Sequence, residues 1–122
     1  MPVQPYWFVD KVTLGANATG TAEFRVDEGT AFKAKKLWIV STGAFDITGI
    51  RDNRGNHYTN ASSTEPIPST ALNKPQTAGE GVGEFPLELE LAGGDVLYID
   101  FKDTSGSSNT LNIILEGSLE RA

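Results

Sequence analysis

The sequence predicts an all-β fold, an antiparallel eight-stranded jelly-roll-like β-sandwich, on three observations. Apolar side chains recur with a period of two: Ala22, Phe24 and Val26 alternate with Thr21, Glu23 and Arg25, and Phe85, Leu87, Leu89 and Leu91 alternate with Pro86, Glu88 and Glu90. Turn-forming clusters separate the apolar runs. No window carries a convincing amphipathic helix; Ala31 to Lys36 has room for one turn, but β-rich Leu37-Trp38-Ile39-Val40 follows at once.

The same reading gives strands at Tyr6 to Leu14, Gly20 to Val26, Ala34 to Ser41, Ala44 to Arg51, Asn56 to Asn60, Phe85 to Leu91, Val96 to Lys102 and Thr110 to Gly117. Successive side chains leave opposite faces of a strand, so the apolar set enters the core and the carboxylates of Glu88 and Glu90 stay in water. Asp27-Glu28-Gly29, Thr42-Gly43, Asp52-Asn53-Arg54-Gly55, Gly93-Gly94-Asp95 and Ser105 to Asn109 supply the turns. Gly93-Gly94 reads as the best hairpin signal, with Leu91 and Val96 on paired strands. Residues 61 to 84, rich in Ser, Thr, Pro and Gly, read as one long loop: a semi-rigid arm with Pro66, Pro68 and Pro75, then a hinge at Gly79-Glu80-Gly81-Val82-Gly83. In a double Greek key the first and last strands are neighbours, so Tyr6 to Leu14 should pair with Thr110 to Gly117.

At 122 residues the chain is one domain, large enough for a real core. Its apolar runs are one strand long, whereas a membrane-spanning helix needs about 20 apolar residues. Met1-Pro2-Val3-Gln4-Pro5 lacks the charged and apolar regions of a secretory signal, which implies synthesis in a cytoplasm without secretion by a signal peptide. There is no cysteine, which removes disulfides, thiolate zinc sites and cysteine nucleophiles. A net charge of −6, with no basic cluster denser than Lys33, Lys35 and Lys36, argues against nucleic acid as a partner.

The candidates for chemistry have plainer explanations. His57 is the lone histidine; no second one builds a metal site and no Gly-x-Ser-x-Gly elbow offers it a nucleophile. Glu88 with Glu90 has the spacing of a strand's wet face, not of a glycosidase pair flanking a cleft. Asp52-Asn53-Arg54-Gly55-Asn56 departs from the calcium-loop spacing and makes a tight turn unaided. The Gly79, Gly81 and Gly83 series does not open a helix, as a phosphate cradle would. Asn17-Ala18-Thr19 and Asn60-Ala61-Ser62 match the glycosylation sequon, which without a secretory signal carries little weight. No catalytic residue, cofactor or metal is therefore expected, and the chain reads as a binding or assembly protein, not an enzyme. Trp38, between Leu37 and Ile39, is expected in the core, while Tyr6 and Trp7 are better placed for an interface or for stacking on a sugar.

The closing segments, Leu91-Ala-Gly-Gly-Asp-Val-Leu-Tyr-Ile-Asp-Phe101 and Thr104-Ser-Gly-Ser-Ser-Asn-Thr-Leu-Asn-Ile-Ile-Leu-Glu-Gly117, complete a pattern that resembles small jelly-roll virion proteins of tailed bacteriophages, the capsid decoration or cement proteins among them. The resemblance covers most of the chain as a pattern. It implies a structural role in the virion: binding and stabilising an assembled capsid, with the major capsid protein or another virion protein as partner, as a homo-oligomer, often a trimer. No residue carries over by motif. The layout of the chain suggests Met1 to Phe8 and residues 61 to 84 as contact segments, with Tyr6, Trp7, Phe8, Pro66, Ile67, Pro68, Leu72 and Pro75 as candidate interface residues. The alternative is a carbohydrate- or receptor-binding module of a head fibre or tail, using exposed aromatic rings and polar groups around Asp52 to Tyr58.

Overall fold

The computed structural model describes residues 3–62, 64–68 and 82–121. All its regular structure is extended: β1 (Val3–Leu14), β2 (Thr19–Arg25), β3 (Thr30–Ser41), β4 (Phe45–Asp52), β5 (Ile67–Pro68), β6 (Val82–Ala92), β7 (Val96–Asp103) and β8 (Asn109–Arg121). Two antiparallel four-stranded sheets result, in the orders β1-β8-β3-β6 and β2-β7-β4-β5. These orders describe a jelly roll of two Greek keys. The first strand pairs with the last over its whole length, from Val3 opposite Glu120 to Leu14 opposite Asn109, as a closed double Greek key requires.

Between the sheets lies one apolar layer, with Leu14, Phe32, Leu37 and Ile39 from the first sheet meeting Ile47, Ile50, Leu97, Ile99 and Phe101 from the second. Leu111, Ile113 and Leu115 run down the centre of the first sheet from β8. Burying each such side chain contributes about 1.5–3 kcal/mol relative to leaving it in water. Tyr6 and Phe8 reach in from β1, with the Phe8 ring 4.8 Å from Phe32 and 6.3 Å from Phe24.

Two β-bulges change which residues face this layer. In β3 the register against β8 slips between Ala34 and Lys36, so β3 carries an extra residue. Phe32 and Ala34 therefore point inward before the slip and Leu37 and Ile39 after it. Trp38 then falls on the outer face, half-buried, and not in the core as its apolar neighbours suggested. In β4 the slip lies between Ile47 and Gly49. It keeps Phe45, Ile47 and Ile50 all buried despite their uneven spacing. The β3 bulge also crowds β8: a Cβ on Gly117 would collide with the Lys33 carbonyl and stand 2.7 Å from the Phe32 ring.

Further expectations are corrected. Asn56 to Asn60 is not a strand; its only ladder contact is an isolated bridge between His57 and Arg51. The Asp52 carboxylate takes the amides of Arg54 and Asn56 and the Tyr58 hydroxyl, which curls the segment so that only the Tyr58 amide, to the Ile50 carbonyl, and the Asn56 carbonyl, from the Asp52 amide, bond to the β4 backbone. The fifth strand is instead Ile67–Pro68, paired with Ile47 and Asp46, inside the stretch read as loop. Gly83, assigned to the hinge, lies in β6 opposite Ile39. Finally, Gly93 and Gly94 do reverse the chain, but β6 and β7 do not pair. The turn passes from one sheet to the other, held by a bond from the Ala92 amide to Asp95 Oδ2 (2.8 Å) and one from the Gly94 amide to the Val26 carbonyl (2.8 Å).

Candidate functional site: an apolar outer sheet face

The ends of the sandwich are closed by buried carboxylates. Asp103 accepts bonds from the amides of Asn17 (2.9 Å), Ser105 (3.1 Å) and Gly106 (3.1 Å), the Ser105 hydroxyl (2.6 Å) and Asn109 Nδ2 (3.1 Å). The Ser105 hydroxyl above all, with the other donors, outweighs burial and holds the Asp103 carboxyl well below the usual carboxylate range. At the other end burial alone would push Asp52 up. The Tyr58 hydroxyl, the Asn56 side chain and the amides of Asn56 and Arg54 prevail and hold it well below its ordinary value. Arg54 lies 3.0 Å from Asp95 and 3.8 Å from Asp52, tying two turns together. The donors around Asp52 and Asp103 are amides and side chains of the adjoining turns, which they lock in place. Among the described residues, no three His, Cys, Asp or Glu side chains gather into a set that could hold a metal ion. His57 is exposed, and Glu88 and Glu90 stand on the wet side of β6.

The two outer faces differ in kind. On the sheet of β2, β7 and β4, Asp100 accepts from Thr21 Oγ1 (2.7 Å) and from Arg51 Nε (3.1 Å) and an Arg51 terminal nitrogen (3.3 Å). The Arg51 guanidinium also covers the Tyr98 ring at 4.7 Å. Gly49 belongs to this network, because a Cβ there would sit 2.8 Å from Asp100 Oδ2. This face carries a polar network centred on Asp100.

On the opposite sheet a cluster of outward residues is apolar, set among charged and polar ones. Val9 is 67% exposed, Trp7 54% and Val40 37%. Ile114 and Trp38 lie half-buried beside them. The register lines up Val9, Ile114 and Trp38 across β1, β8 and β3, with Trp7, Glu116 and Lys36 one row along. Both indoles are held in place: Trp7 Nε1 donates to Glu116 Oε1 at 3.3 Å, and the Lys36 ammonium lies 5.2 Å from the centre of the Trp38 ring. Lys33 and Glu90 pair at 3.4 Å on the flank. A contiguous apolar patch rimmed by charged side chains is the signature of a surface that meets another molecule.

Of the residues proposed from sequence, Trp7 belongs to this face. Tyr6 and Phe8, on the same strand, alternate inward and pack with Phe32 at 6.4 Å and 4.8 Å. Pro66 is half-buried, Ile67 packs against the core and Pro68 is exposed at the far edge of the other sheet. The structure does not bring these three to Trp7. Leu72 and Pro75 lie outside the described residues. Val9, Val40, Ile114 and Trp38 were missed. For Val9 the signal was present, since strict alternation from buried Val12 and Leu14 puts it on the Trp7 side. For Trp38 there was none, because the bulge that turns it outward leaves no mark in the apolar pattern.

No family model matches the chain, and no curated protein matches it. Among solved structures, the Drosophila NLP-core, described in terms of pentamer formation and histone binding, aligns with 93% of this chain and 98% of its own at 18% identity and a TM-score of 0.40. Dimeric latent PorU from Porphyromonas gingivalis aligns with 94% of this chain at 10% identity and a TM-score of 0.38, and the match spans 13% of that protein. Likeness at this level carries no argument about function.

Proposed function

We propose that the chain is a non-enzymatic structural subunit of a phage virion, a decoration or cement protein that stabilises an assembled capsid and works as a homo-oligomer. The observation that carries this reading is the contrast between the outer faces: one carries a polar network around Asp100, the other an exposed apolar patch through Trp7, Val9, Ile114 and Trp38. A surface of that kind, on a body whose buried carboxylates are all engaged in turns, is suited to being covered by protein. The closing strands, with their resemblance to phage virion proteins, supply the setting. A capsid offers many equivalent positions, so modest affinity per contact becomes firm attachment through multivalency.

The test is co-sedimentation of the purified chain with tailed-phage capsids stripped of their own surface proteins. Pelleting that saturates at a fixed ratio to the major capsid protein is expected; absence of saturable pelleting overturns the reading. A second reading, the carbohydrate-binding module, draws on the two indoles sharing one face. Glycan-array binding lost on Trp7→Ala would support it.

A further inference from the structure

We infer that the apolar face of the β1-β8-β3-β6 sheet is covered by the same face of a second copy of this chain. The inference rests on the assembly reading only in taking the covering surface to be protein.

Size is the first argument. Four strands of about 12 residues span about 40 Å by 19 Å at ordinary strand spacings, or about 760 Å². That is near the roughly 800 Å² per partner of a standard stable interface. Sheets also pack face to face at a common spacing with strands nearly aligned, so two such planes make a good fit without rearrangement.

Charge is the second argument. Lys11, Lys33, Lys35 and Lys36 on this face are balanced by Glu88, Glu90, Glu116 and Glu120, four against four among the described side chains. The chain as a whole carries −6. The excess negative charge is therefore not concentrated on this face, so two identical anionic molecules can approach through it without strong repulsion.

Symmetry is the third. A two-fold axis parallel to the strands, running between β8 and β3, lays β8 of each copy over β3 of the other and keeps height along the strands. Ile114 and Trp38 are register neighbours, as are Glu116 and Lys36. The axis therefore stacks Ile114 on Trp38 of the partner subunit, and brings Glu116 to Lys36 of the partner subunit, each contact occurring twice. One surface matched to itself gives a closed pair.

Sedimentation velocity over a concentration series tests this with the wild type, Val9→Lys and Ile114→Lys. Both positions face outward, and circular dichroism with thermal melting verifies that each variant folds. The expected result is a reversible dimer whose dissociation constant rises more than tenfold in each folded variant. A wild type that stays monomeric at sub-millimolar concentration, a trimer, or a dimer indifferent to both substitutions overturns the inference. If such a monomer still pellets saturably with capsids, the pairing fails and the assembly reading stands; if it instead binds glycans through Trp7, both fail.

Discussion

Replacing Gly117 with alanine tests the packing at the β3 bulge directly. The added methyl would run into the Lys33 carbonyl while standing 2.7 Å from Phe32 Cζ and 2.9 Å from Ala34 Cα. Two of these three obstacles are backbone, so no rotamer change relieves them, and either β8 or the bulge must move. Overpacking of this kind costs about 1–3 kcal/mol. The same substitution lowers the entropy of the unfolded chain, which offsets about 0.4–1 kcal/mol of that cost. A net loss of about 1–2 kcal/mol should lower the melting temperature by about 3–6 °C per kcal/mol in a domain of this size. Gly15→Ala is the internal control: its added Cβ meets only Ala18 Cβ at 3.9 Å, ordinary contact. Urea titration and calorimetry of both variants give the comparison. Gly117→Ala as stable as Gly15→Ala would mean that β8 does not pass Lys33 and Phe32 as described, and the bulge that turns Trp38 outward would lose its support.

Two more predictions concern the closed ends. Asp103 has a folded pKa depressed below its unfolded value of about 3.9, so its stabilisation is fully present above that value and is lost as pH falls through the folded one. Urea melts taken down the acid limb should show Asp103→Asn less stable than wild type at neutral pH and less dependent on pH below it; a parallel acid limb would refute the role. Tyr58 is held above the ordinary tyrosine range by burial first and then by its bond to Asp52. Ultraviolet titration should find a tyrosine that ionises late and disappears in Tyr58→Phe, with a stability loss of about 1.5–3 kcal/mol for a hydrogen bond to a charged acceptor.

Much of the architecture was legible because alternation is a direct record of one buried face. Ala22, Phe24 and Val26, and Leu87, Leu89 and Leu91, read as half-buried strands, and the coordinates agree except that Leu89 is only partly covered. The pairing of the first and last strands followed from topology alone. What stayed hidden was every place where pairing breaks the period. At Ala34-Lys35-Lys36 and Ile47-Thr48-Gly49 an inserted residue swaps the faces, and the swap depends on what the neighbouring strand does. The Asn56 to Tyr58 segment has strand-like composition, yet the Asp52 carboxylate takes the Asn56 amide and the Tyr58 hydroxyl and curls the chain after a single bridge to β4. Ile67–Pro68 is too short to show a period at all. The candidate face was half legible for the same reason: Trp7 and Val9 come from an unbroken strand, Trp38 from beyond a bulge.

Because β8 is the common neighbour of β1 and β3, the first sheet cannot be completed until the last strand is available. A ribosome-bound chain that has emerged only as far as β7 leaves Val3–Leu14 without its hydrogen-bonding neighbour, with Trp7 and Val9 on one side of the strand and Tyr6 and Phe8 on the other still in water. Closing so long a span of sequence makes for slow acquisition of structure, so β1 would need shelter until β8 has emerged.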